Sequence, residues 1–306
     1  METVWILRID EIGLKSSPVR RMFTGVMLRT LDAHCIARGV RVAIDRSHRL
    51  LVARLKGEDP VDSTAAADRV EAFEDSAAHT FGLAAADRSV VVEREPSDVM
   101  RLLDERGWPQ EGVATFGVRA KRHGRGRGWK SQAFAAELGT QVLSRHPHLK
   151  VDLTEPDEWV RVALLPEAAH LIEQRIVGPG GLPCGVQGRV TASLVDDDSL
   201  LAAWLCMRRG CRIDLVEPFD ESLAAALARW DPALGDEEMI RSIGVGPHRQ
   251  PVDEAWGMIG SRHDAGGGEA SVQPIAGSGR VPIASLDPLA GWSDSERAEA
   301  LVRIRA

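Results

Sequence analysis

Residues 113–164, VATFGVRAKRHGRGRGWKSQAFAAELGTQVLSRHPHLKVDLTEPDEWVRVAL, contain the segment that decides the fold. Alternating apolar residues predict a strand over 113–119, and apolar residues at helical spacing predict a helix over 131–145. A basic loop interrupted by glycines joins the two, and further strands are predicted near 150–153 and 159–164. Strands and helices mixed in this way are typical of an α+β domain.

A smaller α+β unit precedes this segment. Val4–Ile9 predicts a strand, and a helix is expected to begin at Pro18, with Ser17 as its cap. The helix should end at Gly39, a residue that favours helix C-termini. Two short strands then complete a β-α-β-β pattern that ends near residue 58.

The last third of the sequence has a different pattern. Strand and helix signals alternate from 188 to 230, which predicts a doubly wound parallel sheet of the α/β class, although a short one. The glycine-rich segment 178–183, GPGGLP, predicts a hinge before it. The predicted domains are therefore 1–58, 59–177 and 178–306.

The loop between the predicted strand and helix carries a concentrated positive charge. Its six basic residues, with no acidic residue among them, are Arg119, Lys121, Arg122, Arg125, Arg127 and Lys130. Glycines in the loop let the backbone approach a partner closely, and Trp129 offers a flat face on which a base can stack. A second basic cluster around the first helix comprises Lys15, Arg20 and Arg21. Both groups are candidates for phosphate contacts, and the alternative for both is an ordinary solvated surface.

The overall charge does not exclude an RNA partner. The net charge is −7, but residues 190–306 hold 19 acidic and 11 basic residues, so the excess negative charge lies in the last third. Residues 1–189 hold 26 acidic and 27 basic residues. A basic surface in the first two predicted domains is compatible with this distribution.

Several broad classes of protein are disfavoured by the sequence. No apolar run of transmembrane length and no signal-peptide pattern occur, so we expect a cytoplasmic protein without a membrane partner. The spacing of the four cysteines suggests neither a disulfide framework nor a zinc site, so we expect no metal and predict buried thiols. These cysteines are Cys35, Cys184, Cys206 and Cys211.

Several motifs occur in an order that resembles one family, the tRNA 4-thiouridine synthetases, or tRNA sulfurtransferases. They are EIGLKS and VRRMF at 11–23, TFGVRAKR at 115–122, SQAFAAELGTQV at 131–142, LKVDLTEPDEWVRVAL at 149–164, GPGGLPCGVQGRV at 178–190, DSLLAAWLCMRRGC at 198–211 and PLAGWSDSERAEAL at 288–301. The resemblance implies an N-terminal ferredoxin-like domain, a THUMP domain that binds the acceptor region of tRNA, and a PP-loop domain. In the family, the PP-loop domain adenylates a uridine with ATP and a cysteine persulfide delivers sulfur.

The candidate PP-loop departs from the family pattern Ser-Gly-Gly-Ile-Asp-Ser. The matching positions here are Leu194, Val195, Asp196, Asp197, Asp198 and Ser199, of which only the last two agree. Side chains and carboxylates replace the glycines whose backbone would approach the phosphates, so we expect no ATP and no Mg²⁺. The aspartates instead suit a helix cap, while a Mg²⁺ site remains the minor alternative. Asp198, Ser199 and Cys184 are the weak catalytic candidates.

These observations predict a tRNA-binding protein with a degenerate, truncated PP-loop domain, and DNA is not an expected partner. The chain ends soon after the PLAGW segment, so the family's later cysteine-bearing part is expected to be missing. The protein would present tRNA to an intact PP-loop sulfurtransferase or a sulfur-carrier protein, with the helix 199–209 and the acidic last domain as interaction surfaces. One alternative is an active ATP-dependent tRNA sulfurtransferase. Another is a protein-interaction module that binds no RNA.

Overall fold

The chain forms two compact units. A computed structural model describes residues 2–46, 50–57, 63–124, 128–243, 255–259 and 284–305. The first unit comprises Met1–Arg8, Val42–Gly57 and Ala86–Ile176. The second unit comprises Ile9–Arg41, Glu58–Ala85 and Val177–Ala306. The division into three domains at residues 58 and 177 stays a prediction.

Strands and helices alternate along most of the described chain. The strands are β1 (Thr3–Ile9), β2 (Val42–Asp45), β3 (Leu51–Leu55), β4 (Leu83–Val92), β5 (Thr115–Arg122), β6 (Lys150–Val151), β7 (Glu158–Leu164), β8 (Ala169–Val177), β9 (Arg189–Ala192), β10 (Arg212–Leu215), β11 (Gly257–Ile259) and β12 (Ala284–Leu286). The helices are α1 (Ser17–Ala37), α2 (Ser63–Ala78), α3 (Pro96–Glu105), α4 (Ser131–Arg145), α5 (Asp197–Arg208), α6 (Glu221–Ala228), α7 (Glu237–Ile243), α8 (Asp294–Arg305) and the 3-10 helix Glu11–Leu14. Among the helices of the described ranges, none has the length and apolar character required to cross a membrane.

The first unit is built on an eight-stranded sheet with the order β2-β3-β1-β4-β8-β7-β5-β6. β5 pairs in parallel with β7, and β7 pairs antiparallel with β8. Alternation along β5 and β7 places Phe116, Val160 and Val162 on one face, where they join a core with residues of α3 and α4. Residues of opposite parity in these strands therefore face away from that core.

The second unit contains the parallel sheet that the alternating pattern predicts. Its order is β10-β9-β11-β12, and each neighbouring pair is parallel. The buried rings of Phe81, Trp204 and Trp230 pack together beside α5, with centroids 5.4 to 5.6 Å apart. Aromatic pairs at such distances contribute beyond the apolar area that they bury.

The helix α1 follows the predicted pattern with small shifts. It begins at Ser17 with Ser16 as the N-cap residue, one position before the predicted cap, and Pro18 lies in its first turn. Gly39 has a φ of +75°, as expected for a glycine after a helix C-terminus. The bounds of α4 are those predicted.

The segment 178–183 is not an exposed hinge, which corrects the sequence-based interpretation. All six residues are buried. A Cβ added at Gly178 would lie 2.3 Å from the Leu83 carbonyl oxygen, and one added at Gly181 would lie 2.1 Å from that of Arg208. The glycines allow the backbone to pack closely inside the second unit. A glycine-rich sequence looks the same whether the glycines provide flexibility or close packing.

Candidate functional site

The basic segment begins on the exposed end of β5. Arg119, Lys121 and Arg122 are exposed, and the Arg122 N–H donates to Ser131 Oγ over 3.0 Å. This bond connects the end of β5 to the start of α4, so the strand and the helix fix both ends of the loop between them. Lys130, at the N-cap position of α4, is exposed as well. Two further predicted contact residues lie outside the described residues: Arg125 and Arg127.

Trp129 lies half-buried against the core of the first unit. Its ring meets Phe134 edge-on at a centroid distance of 6.0 Å, and its Nε1–H donates to Glu95 Oε2 over 2.8 Å. Arg94 also donates to the Trp129 carbonyl oxygen over 3.3 Å. These contacts make Trp129 an anchor of the basic loop, and its predicted stacking against a base stays a prediction.

The second basic cluster belongs to the second unit. Arg20 and Arg21 are exposed in the first turns of α1, and half-buried Lys15 follows the 3-10 helix Glu11–Leu14. Leu14 beside them is 88% exposed. The two predicted basic groups therefore lie in separate compact units.

The loop that replaces the PP-loop has a complete capping box at the start of α5. The N–H groups of Val195 and Asp196 both donate to Ser199 Oγ over 3.0 Å. In return, the Ser199 N–H donates to Asp196 Oδ1 over 2.8 Å. Leu194 is fully buried in the core. Three backbone N–H groups at the start of α5, those of Val195, Asp196 and Ser199, thus bond to the loop's own side chains and are not free to hold a phosphate.

The other two loop carboxylates pair with arginines from the C-terminal helix α8. Arg297, only 7% exposed, donates from Nη1 to Asp198 Oδ2 over 2.7 Å. Arg305 donates from Nη1 to Asp197 Oδ2 over 3.1 Å, and its Nη2 contacts the other oxygen of the same carboxylate. The helix α8 therefore neutralises acidic side chains at the N-terminus of α5, where the family resemblance implies nucleotide phosphates.

This geometry does not fit a bound triphosphate or a Mg²⁺ ion held by the aspartates. Three backbone donors of the loop have internal partners, and the carboxylates would repel phosphate oxygens. Asp196, Asp197 and Asp198 each have a different partner and do not converge on one point. The role of Asp198 and Ser199 in this structure is to hold α8 and to cap α5.

Cys184, one of the weak catalytic candidates, is enclosed. Its side chain is 1% exposed, and the thiol lies 3.9 Å from the Met207 carbonyl oxygen. Burial raises the pKa of the Cys184 thiol well above its usual value, and the nearby Asp231 carboxylate adds to this. A reactive thiol needs the thiolate form and access to its partner, so this position corrects the weak prediction of a catalytic Cys184. All four cysteines are buried, which confirms the prediction of buried thiols.

The predicted use of the helix 199–209 as an interaction surface is wrong. The corresponding helix, α5, buries Leu200, Leu201, Trp204 and Met207 in the core of the second unit. Its apolar residues point in several directions because the helix lies between the sheet and other helices. The sequence indicates that α5 is apolar on several sides. It does not indicate whether other elements of the same chain or a partner protein cover those sides.

The N-cap interaction gives a direct prediction. Replacing Asp196 with Ala should lower the free energy of unfolding by about 1 kcal/mol, because the Ser199 N–H loses its acceptor. Thermal unfolding followed by circular dichroism measures this change. Asp196→Asn keeps an acceptor at the same place and should stay near the wild type. Equal melting temperatures for the Ala variant and the wild type would contradict a stabilising cap.

Two features of the functional surfaces were not predicted. The pairing of α8 arginines with the loop joins residues that are 99 and 108 positions apart, so no local pattern reveals it. The second feature is Trp159, whose ring lies under the Arg119 guanidinium on the sheet of the first unit. The alternation of residues along β7 predicts on which face of the sheet Trp159 lies. It does not predict that Arg119 is its neighbour, because that contact depends on the pairing of β7 with β5.

Comparison with known protein families identifies one domain directly. Residues 98–172 match the THUMP domain family. This match covers most of α3, all of β5, α4, β6 and β7, and the first four residues of β8 in the first unit.

Curated relatives extend the similarity into the second unit. The probable tRNA sulfurtransferase of Methanothermobacter thermautotrophicus is 29% identical over 262 residues, which cover 79% of this chain and 62% of that protein. The probable tRNA sulfurtransferase of Aeropyrum pernix is 30% identical over 214 residues, covering 69% of this chain and 51% of that protein. The chain thus spans about half to three fifths of the length of these relatives.

Two crystal structures have a similar fold. PH1313 from Pyrococcus horikoshii Ot3 matches over 100% of both chains with a TM-score of 0.72 and 21% sequence identity. A 4-thiouridine synthetase in complex with RNA and ATP matches over 75% of this chain and 59% of its own length, with a TM-score of 0.56 and 22% identity. Both likenesses support a shared fold.

Proposed function

Because the chain is a THUMP-domain protein related to the tRNA sulfurtransferases, we propose that it binds tRNA and does not catalyse thiolation on its own. Its role would be to present the acceptor region of tRNA to an intact PP-loop sulfurtransferase or to a sulfur-carrier protein. The observation that carries this proposal is the contrast between the two surfaces. Two arginines and one lysine are exposed on β5, whereas the loop 194–199 bonds its backbone donors to its own side chains and its carboxylates to arginines of α8.

The proposal includes a domain organisation. A ferredoxin-like domain over 1–58 and a THUMP domain over 59–177 would form the RNA-binding part. A PP-loop-like domain over 178–306 would serve as a structural and partner-binding part. The family resemblance also favours a cytoplasmic location, where tRNA and its modifying enzymes meet.

The absence of nucleotide binding is part of the proposal and can be measured. Titration of the full chain with ATP and Mg²⁺ in a calorimeter should give no saturable heat, because three backbone donors of the loop bond to its own side chains and its carboxylates would repel phosphate oxygens. The control is the same titration of an intact tRNA sulfurtransferase. A saturable signal from this chain, accompanied by 4-thiouridine formation in tRNA, would instead support an active enzyme.

The RNA part of the proposal has a separate test. An electrophoretic mobility shift with unmodified tRNA should show a complex whose affinity falls as the salt concentration rises, because phosphate contacts release counterions. Double-stranded DNA of equal length serves as the comparison ligand and should bind less tightly. A chain that forms no salt-sensitive complex with tRNA would favour the third hypothesis, a protein-interaction module without RNA.

A further inference from the structure

We propose that the sheet face carrying Arg119, Trp159 and Arg161 is a binding site for the phosphodiester backbone of RNA, in which Trp159 positions the Arg119 guanidinium. This inference rests on the proposed tRNA binding and adds a contact surface outside the basic loop. Neither Trp159 nor Arg161 belongs to a recognisable basic motif in the sequence. Their arrangement follows from the pairing of β5 with β7.

The register of the two strands creates a small block of neighbouring side chains. Gly117 pairs with Trp159, and Arg119 pairs with Arg161, two residues further along each strand. Along one strand, side chains two residues apart lie on the same face of the sheet. Residues that pair across two neighbouring strands lie side by side on that face. This face is opposite to the one that Phe116 and Val160 bury in the core. Lys121 continues the row of cations along β5.

The missing side chain of Gly117 provides the space for the Trp159 ring. A Cβ on Gly117 would lie 2.5 Å from the ring atom Cζ3 of Trp159, so any larger residue would displace the indole. On its other side, the ring is covered by Arg119, whose Cζ lies 3.6 Å from the ring centroid. The indole is therefore held between the backbone of β5 and the guanidinium. Such a cation–π contact restricts the orientation of the guanidinium while its N–H edges stay accessible.

The arginines on this face repel one another. The pKa of Arg161 is lowered, first by partial burial and then by the positive charges of Arg175 and Arg119. Within the part of the chain that the structure describes, Arg119 and Arg161 form no ion pair with a carboxylate, although both are exposed. A surface that gathers like charges without compensation is stabilised when a polyanion binds to it.

The buried carboxylate beside this surface does not neutralise it. The side chain of Asp87 is fully buried and accepts bonds from Arg175 Nε over 2.6 Å and from Arg8 Nε over 2.9 Å. Burial opposes its ionisation, but the hydrogen bonds from Arg175 and Arg8 outweigh this and lower the pKa of Asp87. Asp87 therefore holds two arginines at once, and the positive charge of this region remains in excess.

RNA phosphate groups suit this chemistry. A guanidinium offers a planar fork of N–H donors that matches phosphate oxygens, and Arg119 and Arg161 are in register on adjacent strands whose backbones lie about 5 Å apart. An orientation fixed in advance by Trp159 lowers the cost of ordering Arg119 upon binding.

The first test removes one charge from the face. The Arg161→Ala variant should bind tRNA about fivefold more weakly at 0.15 M salt, and the slope of log K against log salt should become shallower by about 0.7 to 0.9. The matched control is Arg101→Ala, because Arg101 is an exposed arginine of α3 that pairs with Asp98. The control should bind tRNA as tightly as the wild type.

The second test disturbs the position of Arg119 without removing a charge. Trp159→Ala should weaken tRNA binding about two- to fivefold, the worth of an exposed cation–π contact, and should leave the salt slope unchanged. Gly117→Ala should also weaken tRNA binding because the added Cβ displaces the indole, but this Cβ would lie 2.8 Å from the Asp152 carbonyl oxygen as well, so a loss of stability is expected with it. Melting temperatures measured in parallel identify any variant that fails to fold. If Gly117→Ala does not fold, the test rests on Trp159→Ala.

The outcomes separate this inference from the proposed function. A wild-type chain that does not bind tRNA would overturn the proposed function. A wild-type chain that binds tRNA in a salt-sensitive manner, while Arg161→Ala and Trp159→Ala bind as tightly as Arg101→Ala, would overturn the sheet-face site alone.

Discussion

Replacing Asp231 with Ala is expected to lower the free energy of unfolding by about 3–5 kcal/mol, because it leaves a buried arginine without its counter-charge. Arg212 on β10 is 2% exposed and Asp231 is fully buried, with Arg212 Nε 3.4 Å from Asp231 Oδ2. Asp231 also accepts the Ala233 N–H over 3.1 Å. Chemical denaturation of the full chain, followed by tryptophan fluorescence, measures the loss.

A double variant distinguishes the electrostatic explanation from a general loss of packing. Arg212→Met combined with Asp231→Ala removes both charges, so the remaining chain carries no uncompensated buried ion. Apolar replacement of a buried pair is often close to neutral, and the double variant should recover most of the lost stability. A double variant less stable than Asp231→Ala would show that the unpaired charge of Arg212 is not the reason why Asp231→Ala loses stability.

The sequence predicted the strand–loop–helix segment well because its signals are local. The apolar spacing of α4 and the alternation of β5 and β7 reflect the face that each element buries, and a family resemblance pointed to the same region. The parallel sheet of the second unit also followed from alternation of strand and helix. By contrast, the packing of Phe81 against Trp204 and Trp230 joins residues far apart in the chain and has no periodic signature.

The sequence also revealed that residues 194–199 depart from the PP-loop pattern, but it did not reveal what these residues contact. LVDDDS at 194–199 indicates a helix cap as readily as a damaged nucleotide loop, since aspartate and serine suit both. The structure adds the arginines of α8, which appear in the sequence as ordinary charges on a terminal helix. Long-range ion pairs of this kind depend on how two helices pack, and their partners are not encoded in local spacing.

The buried glycines of 178–183 and the half-buried residues Trp129 and Trp159 also have contacts that local sequence patterns do not reveal. The glycines of 178–183 predicted a hinge, but the structure uses them for close contacts with the backbone of Leu83 and Arg208. Trp129 was the expected stacking residue because it lies in the basic loop, yet its indole is tied to Glu95 and Phe134. Trp159, which sits under an exposed arginine, received no prediction because its neighbour belongs to another strand.

Combined replacement of Arg122, Arg125 and Arg127 with Ala is expected to remove most of the tRNA affinity. If each residue contacts one phosphate, log K should depend on log salt with a slope shallower by about 2 to 3, and affinity at 0.15 M salt should fall about a hundredfold. Only Arg122 of the three lies in the described residues, where it is exposed at the end of β5. The prediction for the other two rests on the charge pattern of the loop.

The melting temperature should stay nearly unchanged in this triple variant, because an exposed arginine such as Arg122 contributes little to folding. A loss of affinity without a loss of stability therefore identifies a contact surface, whereas a parallel loss of both indicates damage to the fold. The comparison with Arg161→Ala locates the bound RNA. If the loop and the sheet face contact the same molecule independently, each variant flattens the salt slope, and their combination flattens it by the sum. A triple variant that binds tRNA as tightly as the wild type would exclude the loop from the contact surface and leave the sheet face as the remaining candidate in the first unit.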